Sequence, residues 1–451
     1  MNHAGKVIEG LMRAELDRYT AANPVSRRLA DRAAEAFPGG VPLHWMRDWA
    51  TPFPLFMAEA KGAELVDADG HRYTDFCLGD TGSMFGHSPE PVVRAVTDQI
   101  ARGVTAMLPT EDGIAAAEAL ASRFGLPFWQ VTTTATDANR FVLRWARAIT
   151  GRSRILVFNG CYHGTVDDTF VRLVDGRPVH RPGLLGQVID LTDHTRVVEF
   201  NDVAALEAAL APGDVACVLT EPALTNIGMV LPDEGFHAAL RHLTRRHGTL
   251  LVIDETHSIS TGPGGWTRAH GLEPDFLTLG KPIAGGIPCG VYGFTAAVES
   301  RMRHVQAGVP HGHSGMGTTL SANALAMRTL RVMLEEVMTD AAYAGMVALA
   351  RHLARGLEAA IARHGLAWHV TQIGARVEFH FTPAPYRNGG EAAAAMRPEL
   401  EQLVNLFLIN RGVLIAPFHN MMLTSPATTE EQIARFLHAF DACAAALAGH
   451  A

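Results

Sequence analysis

Cysteine is scarce in this chain of 451 residues, and the few present show no pattern. The five, Cys77, Cys161, Cys217, Cys289 and Cys443, are odd in number, widely separated and without C-x-x-C spacing, which argues against a disulfide framework or a zinc knuckle. No apolar stretch reaches the roughly 20 residues a spanning helix needs, so no membrane partner is expected, although hydrophobic residues make up 48% of the chain. Runs of Lys and Arg are missing too. With a net charge of -8, nothing in the sequence would draw in nucleic acid or anionic lipid. Residues 1–19 have the charge spacing of an amphipathic helix and lack the apolar centre of a secretory signal, so the expectation is a cytoplasmic protein with free, mostly buried thiols. The length suggests two or three domains, and a small-molecule enzyme fits best.

From about residue 89 the chain alternates in pattern. Helices are predicted over 91–102 and 113–124, and short apolar strands at 128–132, 154–158, 215–220, 249–253, 276–279 and 290–294. Strand and helix in alternation imply a mostly parallel sheet covered on both faces, with ligands gathered at the carboxyl ends of the strands. Before this region, residues 63–76 read as a hairpin turning at Asp69-Gly70. After it come a long helical stretch over 321–364, strands at 368–372, 376–381 and 413–415, and a last helix over 430–447, an α+β arrangement. The Ala-rich piece 391–396 reads as the start of a surface helix.

Two segments point to chemistry. The apolar run 250–253 ends in Asp254-Glu255, and the next apolar segment leads into Lys281. An acid at the end of one buried strand and an amine near the end of the next would put an anion and a nucleophile in one cleft. Pyridoxal 5′-phosphate (PLP) chemistry requires that pair: the lysine forms a Schiff base, and the acid keeps the pyridine nitrogen protonated. Upstream, Thr134-Ala135-Thr136-Asp137-Ala138-Asn139 sets small residues and hydroxyls where a helix should begin. That arrangement suits an anion pocket and an ordinary N-cap equally well.

Read in order, TATDAN (134–139), CYHG (161–164), EPALTN (221–226), DE (254–255), LGKPIAGGIP (279–288) and GTTLSAN (317–323) give more than any one of them. Together they resemble the class III aminotransferases of PLP fold type I, toward the branch with glutamate-1-semialdehyde aminomutase and β-amino-acid aminotransferases. The resemblance runs through nearly the whole chain. It implies an α/β fold with a large, mostly parallel-sheet domain and a smaller α+β domain. In that division residues 1–88 contribute to the small domain and the substrate site, 89–325 bind PLP, and 326–451 complete the small domain. It also implies roles. Lys281 would form the Schiff base and then move the proton, Asp254 would pair with the pyridine nitrogen, and Tyr162 would lie across the ring. His163 would either assist or cap a turn. The backbone at Ala135 and Thr136 would hold the phosphate, joined by Thr319 from a second subunit, which makes the working unit a homodimer with shared sites. Glu221 and Asn226 would lie beneath the cofactor, unless Glu221 merely caps a neighbouring helix.

The sequence departs from its relatives in two places. The usual S-G-T-E-A-N phosphate loop has Ala135 and Asp137 here, and after Gly39-Gly40 the expected carboxylate-binding arginine is replaced by Leu43 or His44. His44, Trp45, Thr81, Ser83 and Met84 are therefore candidates for the substrate side, with His311 and His313 of the neighbouring chain. Arg376 and Arg387 are candidate anion clamps or plain surface arginines. No metal is expected, because the His-x-His pair lacks a third ligand near it. Met421-Met422 reads as packing. The expected activity is PLP-dependent amino transfer between an amine or amino acid and a keto acid or aldehyde. The alternative is an ammonia-lyase acting by β-elimination on an amino alcohol or hydroxy-aminophosphonate, or an aminomutase, on the same scaffold. A retired binding module is opposed by Lys281, Asp254 and Tyr162 occurring together.

Overall fold

The apolar runs between residues 128 and 294 assemble into one seven-stranded sheet. A computed structural model describes residues 3–310, 312 and 314–448, so His311 and His313 lie outside the described residues. The chain divides into two units, one built from Met1–Pro89, Ala341–Pro385 and Ala395–Ala451, the other from Glu90–Asp340 and Tyr386–Ala394.

In the second unit the strands are Phe128–Thr132, Arg154–Phe158, Thr195–Val198, Val215–Thr220, Leu250–Asp254, Phe276–Leu279 and Gly290–Phe294. Named by first residue, their spatial order is Phe128, Gly290, Phe276, Leu250, Val215, Arg154, Thr195. Six run in one direction, and Gly290–Phe294 is antiparallel to both of its neighbours. Val215–Thr220 and Leu250–Asp254 are buried along their whole length, which is why they read as unbroken apolar runs rather than alternating ones. Parallel pairing puts Asp254 opposite Thr278, so Asp254 and the segment leading to Lys281 emerge at the same edge.

The helix Ala135–Thr150 covers this sheet. Thr134 caps it, its Oγ1 accepting from the Asp137 N–H at 3.2 Å, and Gly151 ends it in a left-handed turn at φ 68°. Its inner face buries Ala138, Phe141, Val142, Trp145 and Ala146. Full burial of a side chain such as Phe141 or Val142 contributes roughly 1.5–3 kcal/mol. The expected helix over 321–364 is interrupted: Ala324–Val332 runs into a π-turn at Met333–Val337 before Asp340–Arg363 begins. Arg123 donates to the Leu334 and Met338 carbonyls at 2.6 and 2.8 Å, satisfying acceptors at the break.

The first unit carries a sheet of Met57–Lys61, Glu64–Asp67, Arg72–Asp75 and Val413–Leu414, and another of His369–Ile373, Arg376–His380 and Met421–Leu423. The expected hairpin forms, its turn closed by Asp67 Oδ1, which accepts from the Asp69 and His71 N–H groups at 2.9 and 2.8 Å. Met421 and Met422 are fully buried. All five cysteines are buried free thiols. Among the described residues no helix is long and apolar enough to cross a membrane, and no His, Cys, Asp and Glu cluster is arranged to hold a metal.

Candidate active site

Asp254 ends its strand almost out of reach of water, at 5% exposure. Three groups converge on its carboxylate. Asn139 Nδ2 donates to Oδ2 at 2.8 Å, His163 Nδ1 lies 3.0 Å from the same oxygen, and the Thr256 N–H donates to Oδ1 at 3.0 Å. Asn139 is itself fixed, since its Oδ1 accepts from Thr278 Oγ1 at 2.7 Å and its amide donates to the His163 carbonyl. Burial alone would raise the Asp254 carboxyl, but His163, then Thr256 and Asn139, hold it well below the usual carboxylate range. Burial alone would likewise lower the His163 imidazole, but Asp254, with Cys161, pushes it up. The two form a buried ion pair whose His163 Nε2 has no hydrogen-bond partner among the described residues.

Its neighbour Glu255 does something different. Fully buried, it accepts from Ser258 Oγ and from the Trp266 and Thr267 N–H groups, and so caps the short helix Gly265–Ala269. Glu221 also turns inward, to its own loop. Its Oε2 accepts from the Thr225 N–H at 3.2 Å and from Thr225 Oγ1, with Asn226 Nδ2 at 3.3 Å. Burial raises the Glu221 carboxyl, against opposing effects of the His163 charge and the Thr225 hydrogen bond.

Lys281 follows Gly280 directly after Phe276–Leu279, with its backbone left-handed at φ 51°. Its Nζ lies 2.7 Å from Nε2 of His257. The bare backbone of Gly280 faces the start of helix Ala135–Thr150, where a Cβ would sit 2.7 Å from Ala135 Cβ and 3.1 Å from Ala135 N. The first-turn N–H groups of Ala135 and Thr136 have no intrahelical partner. The Thr136 side chain is committed elsewhere, accepting from the Thr165 N–H at 3.1 Å. Tyr162 is half-buried, and the Arg181 guanidinium lies over its ring at 5.6 Å.

The chemistry of this donor set fits PLP: an anion suited to a protonated pyridine nitrogen, an amine suited to an aldehyde, and a helix N-terminus suited to a phosphate. The sequence of the chain agrees. The pattern described as Aminotransferase class-III matches residues 45–444. The chain belongs to that family. A glutamate-1-semialdehyde-aminomutase from Pseudomonas aeruginosa PAO1 has 49% sequence identity and a TM-score of 0.96, covering 98% of this chain and 99% of its own. A lysine-to-alanine variant from the same organism was solved in complex with PMP. The glutamate-1-semialdehyde 2,1-aminomutase of Sorangium cellulosum is 35% identical over 437 residues, 94% of this chain and 96% of that protein. A β-phenylalanine aminotransferase from Variovorax paradoxus is 29% identical with a TM-score of 0.86, covering 97% of each chain. The fold of this class-III enzyme is PLP fold type I, and its cofactor is PLP.

The other sequence candidates fall in several places. Thr319 lies in an exposed stretch of the second unit. His44 and Trp45 occupy an exposed 3-10 turn of the first unit. In that unit Thr81 and Met84 are buried and Ser83 is half-buried. Arg376, weighed as a surface arginine or an anion clamp, is instead 2% exposed, with Nε and Nη2 donating to Glu378 Oε1 at 2.9 and 2.8 Å. Its position on the strand Arg376–His380, buried at every residue, is the reason. Arg387 is exposed and paired with Asp233 at 2.8 Å. Asn139 and His257 were missed as site residues. The signals present were a polar residue on the buried face of an amphipathic helix, and a histidine three positions after the strand-end aspartate.

Proposed function

We propose that this class-III enzyme is an aminomutase, relocating an amino group within one small amino-aldehyde or amino-ketone substrate. The observation that carries amino-group chemistry is the delivery of Asp254 and Lys281 by adjacent parallel strands to one sheet edge. The intramolecular version is favoured by the relatives named as glutamate-1-semialdehyde aminomutases, which this chain matches almost end to end.

PLP, when bound, supplies an aldehyde that takes up the substrate amine and a ring that accepts electrons. Asp254 keeps its negative charge at the pyridine nitrogen, and His163 and Asn139 hold that charge in place. Lys281 binds the cofactor and, once displaced by substrate, carries a proton between two carbon positions. The Ala135 and Thr136 N–H groups bind the phosphate, and Glu221, favouring its neutral form, presents a hydrogen-bonding carboxyl with Asn226. Tyr162 covers one ring face. The working unit is a homodimer in which Thr319 completes the partner's phosphate site. Exposure of Met107, Leu108, Val309 and Leu320, between 59% and 81%, supplies apolar surface for such a contact.

Glutamate 1-semialdehyde offered alone tests the reading. Formation of the isomer with nitrogen on carbon 1 and a ketone at carbon 2, without any added amino acceptor, is expected. Turnover only when an amino donor and a keto acceptor are both supplied would overturn it in favour of an aminotransferase. Stoichiometric ammonia release would indicate the lyase.

A further inference from the structure

We infer that Arg172 and Arg181 form a carboxylate-binding subsite beside Tyr162 that anchors the anionic end of the amino substrate. The strands Val171–Val174 and Arg177–His180 make a two-stranded ribbon, with Val171 opposite His180 and Arg172 opposite Val179. The Arg181 N–H donates to the Phe170 carbonyl at 2.9 Å, continuing that register by one step. Opposed residues, and residues two apart on one strand, share a face. Phe170, Arg172, Val179 and Arg181 therefore lie on one side of the ribbon. On that side the Arg181 guanidinium sits over the rings of Tyr162 and Phe170, at 5.6 and 6.0 Å, and Arg172 Nη1 donates to the Cys161 carbonyl at 3.5 Å. Leu173 N–H donates to Asn159 Oδ1 at 3.0 Å, which ties the ribbon to the end of strand Arg154–Phe158. The two arginines thus bracket the Cys161–Tyr162 step, and the next residue, His163, bonds Asp254.

The charge on this face is unbalanced. Neither arginine forms an ion pair among the described residues, and two carboxylates near them in the chain are taken, Asp168 by Arg147 and Asp190 by His180. Burial lowers the Arg172 guanidinium, Cys161 opposes this, and Arg181 adds to it. A half-buried cation facing another cation is costly until an anion enters. Two planar guanidinium forks match the two oxygens of a carboxylate. This assignment rests on the amino-group reading above, and it supplies an anion anchor where the sequence lacks the arginine expected after Gly39-Gly40.

Glutarate, a five-carbon dicarboxylate without amine or aldehyde, is the probe, titrated calorimetrically into the PLP-loaded enzyme at low and high salt. Arg172→Gln and Arg181→Gln should each raise its Kd about tenfold or more and reduce its salt dependence, with Arg181→Lys intermediate. PLP affinity of the unloaded protein, followed by absorbance, should stay unchanged. An unaltered glutarate Kd in both Gln variants overturns the inference, as does no measurable binding to the unsubstituted enzyme. Loss of PLP affinity with glutarate binding intact also overturns it, because the arginines would then serve the cofactor phosphate. Urea midpoints identify misfolded variants; should Arg172→Gln unfold, the two Arg181 variants decide. Glutarate cannot be turned over, so failure of the aminomutase reading in the semialdehyde assay leaves this result unaffected.

Discussion

His257 Nε2 and Lys281 Nζ lie 2.7 Å apart, a hydrogen bond between two groups that each take up and release protons. With His257 buried at 5% exposure, the imidazole has little freedom to turn away. Lysine work as a proton carrier is worth about 10²–10⁴ in rate, and its orientation is a part of that. In His257→Phe we expect kcat to fall by about tenfold, with KM and bound PLP little changed and the pH profile of kcat displaced. Lys281→Ala should lose activity far more severely, together with the visible absorbance of the bound cofactor. An unaltered kcat and pH profile in His257→Phe would show that the contact has no part in proton movement.

The His163–Asp254 pair makes stability depend on pH in a defined direction. Asp254 is depressed in the folded state, so its contribution is present above the ordinary carboxylate value and is lost as pH falls through the folded one. His163 is raised, so its contribution is full below the ordinary imidazole value, about 6.5, and declines above it until the raised folded value is passed. Urea unfolding of the unloaded protein should thus show this pair supporting the fold best between about pH 4 and 6.5. His163→Leu leaves a buried carboxylate without its cation and should cost about 3–5 kcal/mol, with a smaller difference from the unsubstituted protein at pH 9 than at pH 6. Equal loss at both values would rule out the charged pair.

Arg376 is a strut of its unit. Removing its guanidinium leaves Glu378 buried, with a carboxyl that burial already raises to about 7, against the opposing charge and hydrogen bond of Arg376. Arg376→Leu should destabilise by about 3–5 kcal/mol, and Arg376→Leu with Glu378→Leu by distinctly less, measured by chemical unfolding. A double variant as unstable as the single would mean that the loss comes from packing rather than from the stranded carboxylate.

Gly280→Ala probes the meeting of the lysine strand with the helix Ala135–Thr150, whose first turn is proposed to hold the phosphate. The added carbon would press on Ala135, 2.7 Å from its Cβ and 3.1 Å from its N. Crowding of this kind costs about 1–3 kcal/mol and displaces the helix N-terminus. PLP affinity should therefore fall, measured by titrating the unloaded variant; unchanged affinity would mean the helix end yields without affecting the phosphate.

Much of the sheet was legible because most of its strands are short apolar runs buried on both faces. Arg154–Phe158 and Phe276–Leu279 fall where the pattern put them, and so does the edge strand Phe128–Thr132, whose Phe128 and Gln130 are exposed. Thr195–Val198 was not, being only four residues long with Arg196 in the middle and lying at the sheet's edge. The break near Met333 was hidden because Arg123, which serves its carbonyls, is 211 positions away from Leu334 in the chain. Asp254 and Lys281 were readable as strand-end chemistry, whereas Asn139 reaches Asp254 across 115 positions, a pairing that only the folded sheet creates. The reading of Arg376 failed for the same reason: nothing local distinguishes a buried, paired arginine from a surface one.

Lys281 keeps a left-handed backbone at φ 51°, a conformation that glycine adopts freely and other residues adopt at about 1–2 kcal/mol. A sequence drifting toward greater stability would be pulled to replace it, yet that replacement would remove the amine. Resistance to heat and retention of the reactive group therefore oppose each other at this one position. In a thermostabilised version of the enzyme, the compensating changes belong elsewhere in the chain.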